Sequence, residues 1–129
     1  MSTPASLPVL VVDDYSTMVR IMRKLLKQIG YEDVDEASNG EAAYAMIKNK
    51  SYGLIISDWN MEPMTGLELL QKVRGDAGTA KLPFILVTAE SKPDNVAAAR
   101  KAGVNDYLIK PFSAPVLKQK IDNALATAA

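Results

Sequence analysis

The amino-acid sequence predicts an α/β fold, a doubly wound parallel sheet of five strands with five helices on its two faces. Three observations carry that prediction. Short apolar runs occupy consecutive positions rather than alternate ones, which suits strands covered on both sides. Each run is followed by a longer stretch with polar and apolar residues at helical spacing. This strand–helix unit repeats five times, and parallel strands joined by right-handed crossovers place helices on both faces.

The first run is Val9–Val12 (VLVV), after a small polar lead-in, Met1–Ser6, expected to be frayed. In the helix that follows, Met18, Met22, Leu25, Leu26 and Ile29 form the inner stripe and Gly30 closes the last turn. The second run, Val34–Ala37 (VDEA), is the weakest, because two of its residues are acidic. Ser38 with Glu41 has capping-box spacing at the start of the second helix, as do Thr65 with Glu68 and Ser91 with Asp94 for the third and fourth. The remaining runs are Leu54–Ile56, Phe84–Val87 and Tyr107–Ile109, each too short for a buried helix. The fifth helix begins around Ser113–Pro115, and Leu117, Ile121, Ala124 and Leu125 make its inner stripe. The chain, 1–129, is expected to be one domain with its core over about residues 7–126 and no output domain attached.

Composition narrows the chemistry. A chain of 129 residues can bury one real core. Fifteen Lys and Arg balance fifteen Asp and Glu, so no overall basic field exists to hold nucleic acid. Cysteine and histidine are both absent. That removes disulfides, thiolate nucleophiles, imidazole bases and the common zinc sites. No apolar run approaches the ~20 residues of a membrane span, and the first ten residues lack the basic and apolar regions of a signal peptide. The expected setting is the cytoplasm.

In open α/β sheets ligands bind beyond the carboxyl ends of the strands. The first strand ends in Asp13 and Asp14, the third in Asp58, the fourth in Thr88 and the fifth in Lys110. Two carboxylates about 5 Å apart at an effective dielectric of about 20 repel by roughly 3 kcal/mol. Three of them need a cation, and one lysine does not neutralise them all. A hard divalent ion with oxygen ligands and retained waters does, which favours magnesium. The plainer alternative is a structural Asp–Lys ion-pair network, which needs neither three acids nor a hydroxyl. Magnesium beside a spare carboxylate, a hydroxyl and a lysine is an arrangement for phosphoryl transfer, with an aspartyl phosphate as the natural covalent product. No GxxxxGK[ST] loop is present, so nucleotide binding has no support.

The segments VLVVDDYSTM, SDWNMEPMTGLELL, ILVTAE and NDYLIKPF resemble the response-regulator receiver family, and within it the single-domain chemotaxis regulators. The similarity runs over essentially the whole chain. It implies a flavodoxin-like sheet of order 2-1-3-4-5. It implies that Asp58 accepts the phosphoryl group, and that Asp14, Asp58 and the carbonyl of Asn60 ligate magnesium while Asp13 acts largely through water. Thr88 and Lys110 then hold phosphoryl oxygens, and Lys110–Pro111 is a cis peptide. Tyr107 matches the aromatic whose rotamer follows Thr88; the plainer reading is a strand residue half-buried against the last helix. The sequence departs from the family where Glu62 follows Met61 and Pro63 comes one place late. Glu62 is either a solvated loop charge or a tuner of metal affinity. Asn60 and Glu90 occupy positions that influence phosphoryl lifetime in the family. Trp59 reads as a half-exposed loop residue beside the metal, and Met18, Met22 and Met46 as core filling. Arg20, Arg23, Lys24 and Lys27 form a basic face on the first helix, either solvated or docking an acidic kinase surface.

The implied function is a diffusible monomeric switch. It takes a phosphoryl group from a sensor histidine kinase, changes its outer surface, and binds another protein, the flagellar motor switch. Its chemistry is confined to its own phosphorylation and dephosphorylation, so it is not an enzyme in the usual sense. One alternative is a phosphate sink or phosphorelay intermediate that drains a kinase. A magnesium-dependent hydrolase is disfavoured, since the chain leaves no cap region to enclose a substrate.

Overall fold

The computed structural model describes residues 6–89 and 93–128. Strands β1 (Val9–Val12), β2 (Val34–Ala37), β3 (Leu54–Asp58), β4 (Phe84–Thr88) and β5 (Asp106–Ile109) alternate with helices α1 (Ser16–Gln28), α2 (Gly40–Asn49), α3 (Gly66–Gly75), α4 (Pro93–Lys101) and α5 (Ala114–Ala128). All pairings are parallel, in the order β2-β1-β3-β4-β5. The consecutive apolar runs are explained by the two faces they serve. Leu10, Val12, Ile55, Phe84 and Leu86 pack with α2 and α3 on one side. Val9, Val11, Leu54, Ile56, Ile85, Val87 and Leu108 pack with α1 and α5 on the other. Strand β2 is the half-buried edge its acids foretold.

Three local details differ from the sequence expectation or refine it. The buried stripe of α1 is Val19, Met22 and Leu26; Met18 sits on its flank, only partly buried. The cap of α2 is Asn39, not Ser38: the Asn39 side chain accepts from the Ala42 amide at 2.8 Å. Gly40, the first residue of the helix, lies directly against the Met64 side chain, leaving no room for a Cβ there. The Thr65–Glu68 capping box is present with both reciprocal bonds at 3.1 Å. The Ser91 cap, the Met1–Ala5 lead-in and Glu90 lie outside the described residues.

Helix α1 closes as Gly30 predicts. Gly30 has φ +101, its amide donates to the Lys27 carbonyl, and the Tyr31 amide donates to the Leu26 carbonyl. This left-handed turn drops the chain back under the sheet to begin β2.

Candidate functional site

The register brings the polar strand ends to one edge. Asp58 is the last residue of β3 and pairs with Val87, and Thr88 is the last of β4 and pairs with Ile109. The Lys110 amide then donates to the Thr88 carbonyl at 2.8 Å, which sets Lys110 beside β4. On the other flank the Asp13 amide donates to the Ala37 carbonyl at 3.1 Å, holding the end of β1 in line. Asp13, Asp58 and Thr88 are buried, Lys110 and Tyr107 are partly so, and Asp14, Asn60 and Glu62 are exposed.

The three carboxylates converge: Asp13, Asp14 and Asp58 each present an oxygen within 4.8 Å of the others. Lys110 reaches into them, its Nζ donating to Asp58 Oδ1 at 2.8 Å and lying 4.0 Å from Asp13 Oδ2. Asp13 Oδ1 also accepts from the Tyr15 amide at 2.9 Å. Burial pushes the Asp13 carboxyl above its ordinary range, and the charges of Asp58 and Asp14 push the same way. The Tyr15 hydrogen bond and Lys110 oppose this without cancelling it. The cluster therefore holds more negative charge than its one lysine compensates.

That donor set suits a small hard cation. Magnesium asks for oxygen ligands at about 2.0–2.1 Å in an octahedron, so the bound oxygens lie roughly 3–4 Å apart. Carboxylates already gathered within 4.8 Å reach that spacing by small side-chain rotations. A cleft of about 240 Å³ opens beside them, lined by Asp13, Asp14, Ser16, Glu36 and Ser38. Larger clefts, beside Tyr52 and beside Tyr31, lie at the opposite end of the sheet, away from the acids.

The loop after β3 is held closely. The Trp59 amide donates to the Val87 carbonyl and the Gly66 amide to the Trp59 carbonyl, both at 2.9 Å. A Cβ at Gly66 would stand 2.2 Å from the Asp58 carbonyl oxygen and 2.9 Å from Leu86 Cδ2, so only glycine lets α3 start this close to β3. Met61 and Met64 are buried within the loop. Both Lys110–Pro111 and Glu62–Pro63 are cis; the second was not foreseen.

Sequence reasoning also missed an aromatic contact. The Trp59 ring meets Tyr107 edge to face, with centroids 6.2 Å apart and planes at 78°. Trp59 is partly buried against the core rather than simply a loop residue beside the acids. Trp59 follows β3 and Tyr107 lies within β5, 48 positions apart in the chain, and no local pattern signals such a pair.

Residues 9–122 match the family model described as the response regulator receiver domain. A chemotaxis protein CheY of Pseudomonas aeruginosa is 46% identical over 114 residues, covering 88% of this chain and 92% of that protein. Chemotaxis protein CheY-3 of Vibrio cholerae is 41% identical over 117 residues, covering 91% and 90%. Among solved structures, the Vibrio cholerae chemotaxis protein CheY4 superposes with a TM-score of 0.86 at 31% identity, covering 92% of this chain and 98% of that one.

Proposed function

The chain belongs to the response regulator receiver domain family, and from that premise we propose that it is a chemotaxis switch phosphorylated on Asp58 by a sensor histidine kinase and read by the flagellar motor switch. The observation that carries this reading is the 2.8 Å contact from Lys110 Nζ to Asp58 Oδ1 inside a cluster of three carboxylates. A strand-end aspartate is thereby supplied with a fixed counter-cation and a place for a metal.

Asp14, Asp58 and the Asn60 carbonyl would hold magnesium, with Asp13 acting largely through water, and the bound ion would supply charge neutralisation for the phosphoryl oxygens. An Asp58 carboxylate oxygen attacks phosphorus, forming the O–P bond as the P–N bond of the donor phosphohistidine breaks. Lys110 and Thr88 donate hydrogen bonds to the arriving phosphoryl oxygens. Water later attacks phosphorus, releasing phosphate and restoring the Asp58 carboxylate. Thr88 moving toward the phosphoryl group opens space behind it for the Tyr107 ring, which alters the outer surface of β5 and its neighbouring helices. The domain works as a cytoplasmic monomer and turns over no substrate besides its own phosphoryl group. Among the described residues no helix is long and apolar enough to cross a membrane, in keeping with that setting.

Incubation with labelled acetyl phosphate and magnesium tests the assignment. The natural chain takes up label and Asp58→Asn takes up at least a hundredfold less; equal labelling of both removes Asp58 from the role. The beryllofluoride-loaded protein, a mimic of the phosphorylated form, is then expected to bind purified motor-switch protein at least tenfold more tightly than the unloaded one. Kinase-dependent labelling without that difference favours the phosphate sink.

A further inference from the structure

Arg74 stands in the last turn of α3, at the end of the sheet opposite the carboxylates. Its Nε donates to the Gly103 carbonyl at 3.0 Å, one terminal nitrogen to the Leu82 carbonyl at 2.6 Å, and the other to Asn105 Oδ1 at 2.7 Å. The three acceptors are neutral and come from two stretches of chain, one before β4 and one between α4 and β5. Leu82 leads into β4, Gly103 follows α4, and Asn105 precedes β5. Asn105 extends the clamp. Its Oδ1 accepts from the Phe84 amide at 2.8 Å, its own amide donates to the Phe84 carbonyl at 3.0 Å, and its Nδ2 donates to Thr127 of α5 at 3.3 Å.

Helix α4 is otherwise lightly held. Ala99 is its one buried side chain, whereas α1, α2 and α3 each bury three or four residues. It ends in a left-handed turn at Gly103, φ +92, with the Val104 amide donating to the Ala99 carbonyl at 3.1 Å. Its other end follows, within a few residues, from Thr88 at the rim. A helix with little core thus begins five positions after Thr88 in the chain and ends in a turn held by a guanidinium.

We propose that Arg74 is a positioning residue for the output of this site, fixing the Gly103–Asn105 turn as the pivot about which α4 moves. A displacement entering α4 from Thr88 then tilts the helix instead of dragging the start of β5 with it. Asn105 lies two residues before Tyr107, so a loose turn would let that ring shift independently of Thr88. The planar fork of arginine matters here. Three donors in one plane meet three acceptors that join the start of β4 to the α4–β5 turn, and the single ammonium of lysine does not reproduce that. The inference rests on the reading of Asp58 as phospho-acceptor.

Amide hydrogen exchange on the full chain with magnesium, with and without beryllofluoride, tests it, while Trp59 fluorescence reports binding at the site. In the natural chain beryllofluoride is expected to change exchange of Val96–Ala98 at least fivefold and that of Gly103–Asn105 less than twofold. In Arg74→Lys, beryllofluoride binding stays within twofold, and Gly103–Asn105 now respond at least fivefold. A merely structural role would raise exchange across the sheet irrespective of beryllofluoride. The proposal is overturned if Gly103–Asn105 respond as strongly as Val96–Ala98 in the natural chain, if the Arg74→Lys pattern matches it, or if the rise is uniform. The natural chain decides alone should the variant not fold. If Trp59 gives no response to beryllofluoride in the natural chain, the phospho-acceptor reading itself fails, and the pivot with it.

Discussion

Asp13 shows how the site trades stability for chemistry. It is buried beside two other carboxylates, and the same burial that pushes its carboxyl up makes its ionised form costly at neutral pH. Asp13→Asn removes that charge while keeping an oxygen to accept from the Tyr15 amide, which alanine would strand. The metal-free variant is expected to be more stable by about 1 kcal/mol, or some 3–5 °C in Tm for a chain of this size. Magnesium should raise its Tm less than it raises that of the natural protein, since the cluster has lost an anion. Calorimetry with and without magnesium checks both, and a lower metal-free Tm would make Asp13 a structural partner of Lys110. The acids, Thr88 and Lys110 were legible in the sequence because each interrupts or ends an apolar run. The Trp59–Tyr107 contact and the Arg74 clamp were not, since each depends on which distant segment a side chain meets.

At the scale of elements, helix α3 contains two glycines with opposite meanings. Gly66 packs against the acceptor strand, while a Cβ at Gly75 would meet nothing within 4 Å. Gly66→Ala is expected to cost about 2 kcal/mol or more by forcing Asp58 or Leu86 aside, and to slow labelling of Asp58. Gly75→Ala is expected to gain about 0.5–1 kcal/mol by restricting the unfolded chain. Urea unfolding of both variants measures the contrast; a stable, normally labelled Gly66→Ala would refute the packing argument. Three of the strands, β1, β3 and β4, were plain in the sequence because both of their faces are covered, whereas β5, at the sheet edge, buries only Leu108. The apolar runs stop at Ile56 and Val87, but the strands end in Asp58 and Thr88 as the sequence reading placed them, because pairing continues past the last apolar residue. The cap fell at Asn39 instead of Ser38, two adjacent residues that are both good capping types, between which local sequence does not choose.

Across the whole molecule, repulsion gathers at one end of the sheet and satisfied polar networks at the other. Tyr52, which leads into β3, donates to Asp35 of the edge strand at 2.7 Å, and Lys50 joins the same carboxylate at 2.9 Å. The Tyr52 hydrogen bond, then Lys50, hold Asp35 below its ordinary range; burial first, then Asp35, push the Tyr52 phenol up. A depressed carboxyl stabilises above its unfolded value near pH 4 and loses that contribution as pH falls through its folded value. A raised phenol stabilises fully below its unfolded value near pH 10 and loses that contribution as pH rises through its folded value. This network is therefore expected to give a plateau between about pH 4 and 10, falling on both sides. In pH-dependent unfolding, Asp35→Asn should flatten the acid flank and only weaken the alkaline one, whose larger cause, the burial of Tyr52, remains; an unchanged acid flank would assign it elsewhere. The 52 positions between Asp58 and Lys110 carry a different consequence, one of timing. On the ribosome Asp58 emerges well before Lys110, and α5, which covers β5, follows later still. A nascent chain thus holds the three carboxylates before the lysine that contacts them, and cannot assemble the full rim until β5 and its lysine have been made. The charge balance of the site is in this way coupled to completion of the fold.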